Sequence, residues 1–145
     1  IENYLDIEKA RFEERLTVKI EVPKDLEKMR VPSLILQPLV ENAIKHGISE
    51  NKNGGEVRIS AKLQNEKGEM FLKLSVFDSG TSRKTEKITN SNGVGLKNIR
   101  DRLQSYYGKK ANLTIESDLA NATAAEICLP VKAQGIQDSR FKIQD

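Results

Sequence analysis

Three short segments carry residue types whose spacing suits them to chemistry. In Glu41-Asn42-Ala43-Ile44-Lys45-His46, the polar members Glu41, Asn42, Lys45 and His46 fall on one arc of a helix, opposite the apolar positions. A carboxylate, an amide oxygen, an ammonium and an imidazole on one arc are able to gather a hard cation, a phosphate and a proton acceptor. By itself the pattern fits equally a solvated helix face with a Glu41–Lys45 pair at the four-residue spacing. Asp78-Ser79-Gly80 follows an apolar strand pattern. A carboxylate at the mouth of a sheet accepts hydrogen bonds, including one from the exocyclic amine of adenine, and Gly80 lets the backbone approach a flat ring. Alone, the same three residues describe a turn. Gly93-Val94-Gly95-Leu96-Lys97-Asn98 stands where a loop meets a helix. Glycines there present backbone N–H groups to an anion, at the positive end of the helix dipole. The segment matches neither the phosphate-binding GxxxxGK[ST] pattern nor a complete dinucleotide fingerprint, and a simple helix-entry turn also accounts for it.

The elements that must position these segments follow from periodicity. Residues 1–14 lack Pro and Gly and place Ile1, Leu5 and Phe12 on one helical stripe. Leu16, Val18, Ile20 and Val22 then alternate with polar residues, a strand stopped by Pro23; the connector after it has room for one helical turn. A longer helix is expected over 33–45, with Leu36, Leu39, Val40, Ala43, Ile44 and Gly47 on its apolar face. Pro38 either begins its regular part or bends it, and Gly47 is read as its terminator. Alternation over 57–63 and 70–77, with a short connector containing Gly68, predicts a hairpin. Phe71 and Phe77 on the second face of the latter strand suggest a central strand covered on both sides. Residues 78–95 read as one long loop, of the kind that is usually functional. A helix marked by Leu96, Ile99, Leu103 and Tyr106 ends at Gly108, and strands over 113–115 and 123–129 form a second hairpin. Hairpin-joined strands with helices between the pairs indicate an α+β fold, a two-layer α/β sandwich with a mixed sheet of about five strands and helices on one face.

With 145 residues, 37% hydrophobic and 31% charged, the chain has room for one core. The net charge of +3 is spread among interspersed acids and bases, without the basic stripe interleaved with aromatics of a nucleic-acid binder. A single cysteine, Cys128, allows no internal disulfide and no multi-cysteine zinc site; in its strand pattern it reads as a small core residue. The single histidine excludes histidine-rich metal sites. The chain opens on Ile1 without Met, and it is expected to be part of a longer protein whose membrane segment, if any, lies elsewhere.

Taken in order, the three segments resemble the N, G1 and G2 boxes of the Bergerat-fold (GHKL) ATPases, which include histidine kinases, gyrase B, Hsp90 and MutL. The run PSLILQPLVENAIKHG (32–47) resembles the N box of LytS-type sensor histidine kinases, and YLDIEKARF (4–12) is similar to the segment that joins their dimerisation helices to the catalytic domain. GVGLKNIRDRL (93–103), Tyr107-Gly108 and the ending Ile127-Cys128-Leu129-Pro130 agree as well, so the resemblance covers about residues 1–131. It implies an ATP-binding catalytic domain of a two-component system that transfers the γ-phosphate of Mg-ATP to a histidine upstream. It also implies an organisation in which 1–14 end a linker helix, 15–131 form the ATPase-like domain and 132–145 are a loosely attached polar tail.

By position, the resemblance makes Asn42 the ligand of Mg²⁺ and Glu41 the acceptor of the incoming nucleophile's proton. Lys45 and His46 would lie near the phosphates. Asp78 would accept from the adenine amine, with Gly80 under the ring and Thr123 supporting the contact. Gly93, Gly95 and Leu96 would shape the nucleotide lid, with charge added by Arg83, Lys84 and Lys87. The implied partners are the kinase's own dimerisation and phosphoacceptor domain, a response regulator and a second kinase copy, with no nucleic acid. The implied setting is a cytoplasmic domain of a protein anchored in the bacterial inner membrane. Two departures stand out: Ser82 replaces the second glycine of the G1 box, and Asn121-Ala122-Thr123 keeps the Thr of a usual Gly-Thr but not the Gly. A nucleotide-binding scaffold without turnover, and an ATP hydrolase with Glu41 activating water, are the competing functions.

Overall fold

The computed structural model describes residues 1–32, 34–49, 51–80, 94–117, 122–131 and 141–142. Helix α1 (Glu2–Phe12) is followed by a 3-10 turn and strand β1 (Leu16–Glu21). The connector forms one helical turn, α2 (Lys24–Glu27), and a two-residue strand, β2 (Arg30–Val31). Helix α3 (Gln37–Ala43) runs on as a π-turn over Ile44–Ile48. The hairpin β3 (Gly55–Glu66) and β4 (Glu69–Asp78), helix α4 (Val94–Tyr107), and the pair β5 (Asn112–Ser117) and β6 (Thr123–Pro130) complete the main fold. Within the segment read as a tail, β7 (Phe141–Lys142) pairs antiparallel with β2. No helix among the described residues is long and apolar enough to cross a membrane.

The five long strands form one mixed sheet in the order β1-β3-β4-β6-β5. Only β1 and β3 are parallel; the other neighbours are antiparallel. β4 is therefore the central strand, as its apolar pattern indicates. The covering of its second face is thinner than the pattern suggests. Phe71 and Phe77 are half-buried rather than buried, and what lies over Phe77 is the Arg58 guanidinium, 5.5 Å from the ring centroid. Among the described residues that face carries ion pairs, including Lys19–Glu56 at 2.8 Å and Arg58–Glu56 at 2.6 Å, rather than a second helical layer.

The opposite face builds the core. Ala61, Leu74, Ile127 and Leu113 stand in one cross-strand row, all buried. Leu39, Val40, Ala43 and Ile44 of the α3 segment, with Leu96, Ile99 and Leu103 of α4, belong to the same cluster. Burial of each large side chain contributes about 1.5–3 kcal/mol, which is why the periodic stripes in the sequence decide which helix face turns inward. Leu5 and Phe12 dock α1 by the same means. β1 is an edge strand, and its alternation is only partly realised: Leu16 is buried and Val18 half-buried, while Ile20 is 37% exposed.

Candidate functional site

Helix α3 begins later than periodicity predicts. Regular hydrogen bonding starts with Leu39 and Val40 N–H donating to Leu36 O at 3.0 and 3.1 Å, and Pro38 sits in the first turn, where its missing N–H costs no bond. Gly47 is not the terminator expected of it. The Ser49 N–H bonds back to Ile44 O at 2.9 Å, an i to i−5 bond, and Ser49 Oγ donates to Lys45 O. The helix therefore ends in a widened π-turn that carries His46 and Gly47. On the outward arc, Glu41 and Lys45 are exposed and Asn42 and His46 half-buried, so the four polar positions share a face as their spacing requires. The Glu41 carboxylate does not pair with Lys45. Its Oε1 accepts a hydrogen bond from Gln37 Nε2 at 3.0 Å. From α1, Tyr4 lies in the field of the same group. Its hydroxyl is pushed up to about 12, first by burial and then by the charges of Glu8 and Glu41, with Arg11 opposing.

The sheet delivers the second segment. Val57, Asp78, Thr123 and Ser117 form the cross-strand row two residues beyond Ile59, Val76, Ala125 and Ile115. Because strand side chains alternate, Asp78 falls on the core face, at the end of β4. It is 7% exposed, directly across the ladder from Thr123, whose Oγ1 lies 3.3 Å from Ser117 Oγ. Burial pushes the Asp78 carboxyl up to about 7, against an opposing hydrogen bond from the Gly80 backbone.

Gly80 has φ 80°, a left-handed conformation that glycine adopts without strain. A Cβ on Gly47 would lie 2.5 Å from Asp78 Oδ1, so the π-turn backbone and this carboxylate touch only because residue 47 has no side chain. Ser79 anchors the strand end: its N–H donates to Glu56 O and its Oγ accepts from the Glu56 N–H, both at 2.9 Å.

The third segment is described from Val94 onward. Gly95 stands in the first turn of α4, and a Cβ there would meet nothing within 4 Å among the described residues. Packing does not demand a glycine at this position, which leaves room for close approach to the helix N-terminus. Leu96 is a core residue, 6% exposed, so its side chain anchors α4 and only its backbone is able to face a ligand. Gly93, the G1-box Ser82, the basic Arg83, Lys84 and Lys87, and Asn121 lie outside the described residues. Helix α3 packs against both β4 and α4, and the Gly47–Asp78 contact joins the first two segments at the end of β4.

No family model matches the chain. Sensor histidine kinase BtsS of Escherichia coli is 35% identical over 88% of this chain. Sensor protein LytS of Staphylococcus saprophyticus is 32% identical over 81% of it. Among solved structures, the catalytic domain of histidine kinase ThkA superposes with a TM-score of 0.63 at 20% identity, covering 89% of this chain and 87% of that one. Its homologues are sensor histidine kinases of the LytS type, each matched over one part of its length. Its fold is that of histidine kinase catalytic domains such as ThkA's, an α+β arrangement of a mixed sheet with helices on one face. The chain spans about a fifth of the length of these kinases, 22% of BtsS and 21% of LytS.

Two contacts at the site go beyond the three boxes. Gly47 falls on the apolar stripe of α3, a position that signals close packing, yet its partner Asp78 lies thirty-one residues on. Gln37 stands one turn ahead of Glu41, the spacing at which helix side chains meet, and that signal was available.

Proposed function

We propose that this domain binds Mg-ATP and transfers the γ-phosphate to a histidine in another part of a two-component sensor kinase. The observation that carries the reading is Asp78: a carboxylate on the core face at a strand end, seated against Gly47 and across from Thr123. Its burial costs stability unless a ligand uses it, and the adenine amine supplies the donor that an ionised carboxylate needs. Gly80 leaves space for the ring, Thr123 supports the contact through its hydroxyl, and Gly95 admits phosphate to the N-terminus of α4. Lys45 and His46 face the phosphates from α3.

Among the described residues no three His, Cys, Asp or Glu side chains cluster to hold a metal. Mg²⁺ suits such a site, since it is commonly held by one or two protein oxygens with phosphate and water completing the shell. Asn42 would supply the protein oxygen. When bound, the ion supplies charge neutralisation along the triphosphate. Glu41 is placed to take the proton of the attacking imidazole. On this reading the response regulator and a second kinase copy are the partners, and the domain works in the cytoplasm beneath an inner-membrane anchor.

Calorimetry with ATP, GTP and EDTA tests the binding half: ATP should bind, GTP should bind much more weakly, and EDTA should weaken ATP. Equal binding of ATP and GTP contradicts the role of Asp78. Labelling with γ-labelled ATP tests the chemistry: the 145-residue chain should not label itself, and label should appear on a histidine-bearing partner segment. Steady phosphate release with no phosphohistidine would favour the hydrolase reading.

A further inference from the structure

We propose that Gln37 is a positioning residue for phosphotransfer, holding the Glu41 carboxylate by one oxygen so that the other is directed at the attacking imidazole. This inference rests on the reading of Glu41 as proton acceptor. In that step an imidazole nitrogen bonds to the γ-phosphorus, the bond from the γ-phosphorus to the β–γ bridging oxygen breaks to release ADP, and the imidazole proton passes to Glu41. An exposed glutamate samples several rotamers, and a base that must meet a proton at hydrogen-bond distance loses rate with each unproductive one.

The geometry removes that freedom. Gln37 opens α3 one turn before Glu41, and its Nε2 donates to Oε1 at 3.0 Å. Glu41 has two oppositely placed neighbours one turn away, Gln37 and Lys45; the carboxylate is bonded to the neutral amide and forms no ion pair with the ammonium. An amide donor fixes direction without placing a full positive charge on the group that must accept a proton. Pro38 beside it restrains the backbone of the first turn from which the Gln37 side chain extends. The Oε2 atom is left to face the incoming nucleophile.

The test uses the full-length kinase that carries this domain. Gln37→Met preserves side-chain length and removes the donor; Gln37→Lys restores a donor at the same spacing. Initial rates of phosphohistidine formation are measured against ATP concentration, with Glu41→Gln in parallel and the melting temperature of each variant as a fold control. The expected result is a roughly tenfold lower kcat for Gln37→Met with an unchanged KM for ATP, and only partial recovery in Gln37→Lys, whose charge lowers the basicity of Glu41. Adding Gln37→Met to Glu41→Gln should cost nothing more. A wild-type kcat for Gln37→Met alongside an inactive Glu41→Gln overturns the positioning role and leaves Glu41 as the acceptor. An effect confined to KM overturns it as well. Full activity of Glu41→Gln removes the acceptor reading and this inference with it.

Discussion

Asp78 shows how much one buried carboxyl sets in this domain. Its folded value of about 7 stands above the 3.8 of the unfolded chain, because burial disfavours the charged form. The unfolded state therefore binds fewer protons than the folded state between about pH 4 and pH 7, and stability of the ligand-free domain falls as pH rises through that window. Below pH 4 both states are protonated and the penalty vanishes. Replacing Asp78 by Asn removes the titration. Between pH 5 and pH 8 the wild type should lose roughly 2–3 kcal/mol that Asp78→Asn does not, measured by urea unfolding at the two pH values. The same substitution should weaken ATP binding strongly, since Asn is able to present an N–H where the adenine amine needs an acceptor. A variant that is more stable at pH 8 and poorer at binding is the mark of a functional residue held at a cost to the fold.

Among the elements, α3 and its π-turn bring two chemistries together: the Glu41 and Asn42 face, and the backbone seat of Asp78. Gly47→Ala places a methyl where Asp78 Oδ1 stands, 2.5 Å away, and should cost about 1–3 kcal/mol in unfolding experiments. In an Asp78→Ala background the same change should cost far less, because the clashing atom is gone; equal costs in both backgrounds would mean that the contact is not the reason for the glycine. The first turn of α4 behaves in the opposite way. Open space surrounds a Cβ at Gly95, so Gly95→Ala should stabilise the ligand-free domain by up to about 1 kcal/mol through helix propensity. ATP affinity should fall if the nucleotide approaches this backbone. The two glycines thus differ: a neighbouring side chain excludes a Cβ at Gly47, whereas at Gly95 the proposed function assigns the reason to the ligand.

Across the whole molecule, the site depends on a sheet whose central strand carries Leu72, Leu74 and Val76 in the core and Asp78 at its end. Leu74 is fully buried, and Leu74→Ala should cost about 2–5 kcal/mol, read as a lowered urea midpoint with a loss of nucleotide binding only once the fold itself is lost. On the proposed function, ATP with Mg²⁺ binds the folded state alone and should raise the melting temperature in proportion to the logarithm of its concentration. EDTA should shrink that shift. A shift unaffected by EDTA would argue against Asn42 as a metal-linked residue.

The sequence determined which residues are apolar and at what period, and this was enough for the element order, the inward faces of α3 and α4, and the central place of β4. It determined part of the local chemistry too: helical spacing places Glu41 and Asn42 on the polar arc, while Lys45 and His46 sit in the π-turn that only the fold shows. That the first two segments meet at the end of β4 was not written in their order or type. What they touch was decided by tertiary structure. Gly47 reads as a helix stop in a linear pattern, because the i to i−5 bond that carries the helix past it, and the carboxylate that excludes its Cβ, lie beyond local spacing. Ile20 keeps its alternation yet stays partly exposed, because edge position is a matter of strand order. The Asp78 carboxyl is raised by burial, and burial is assigned only when sheet, π-turn and Thr123 have come together. Periodicity is local and is written in the chain; desolvation and steric exclusion are shared between distant residues and exist only in the fold.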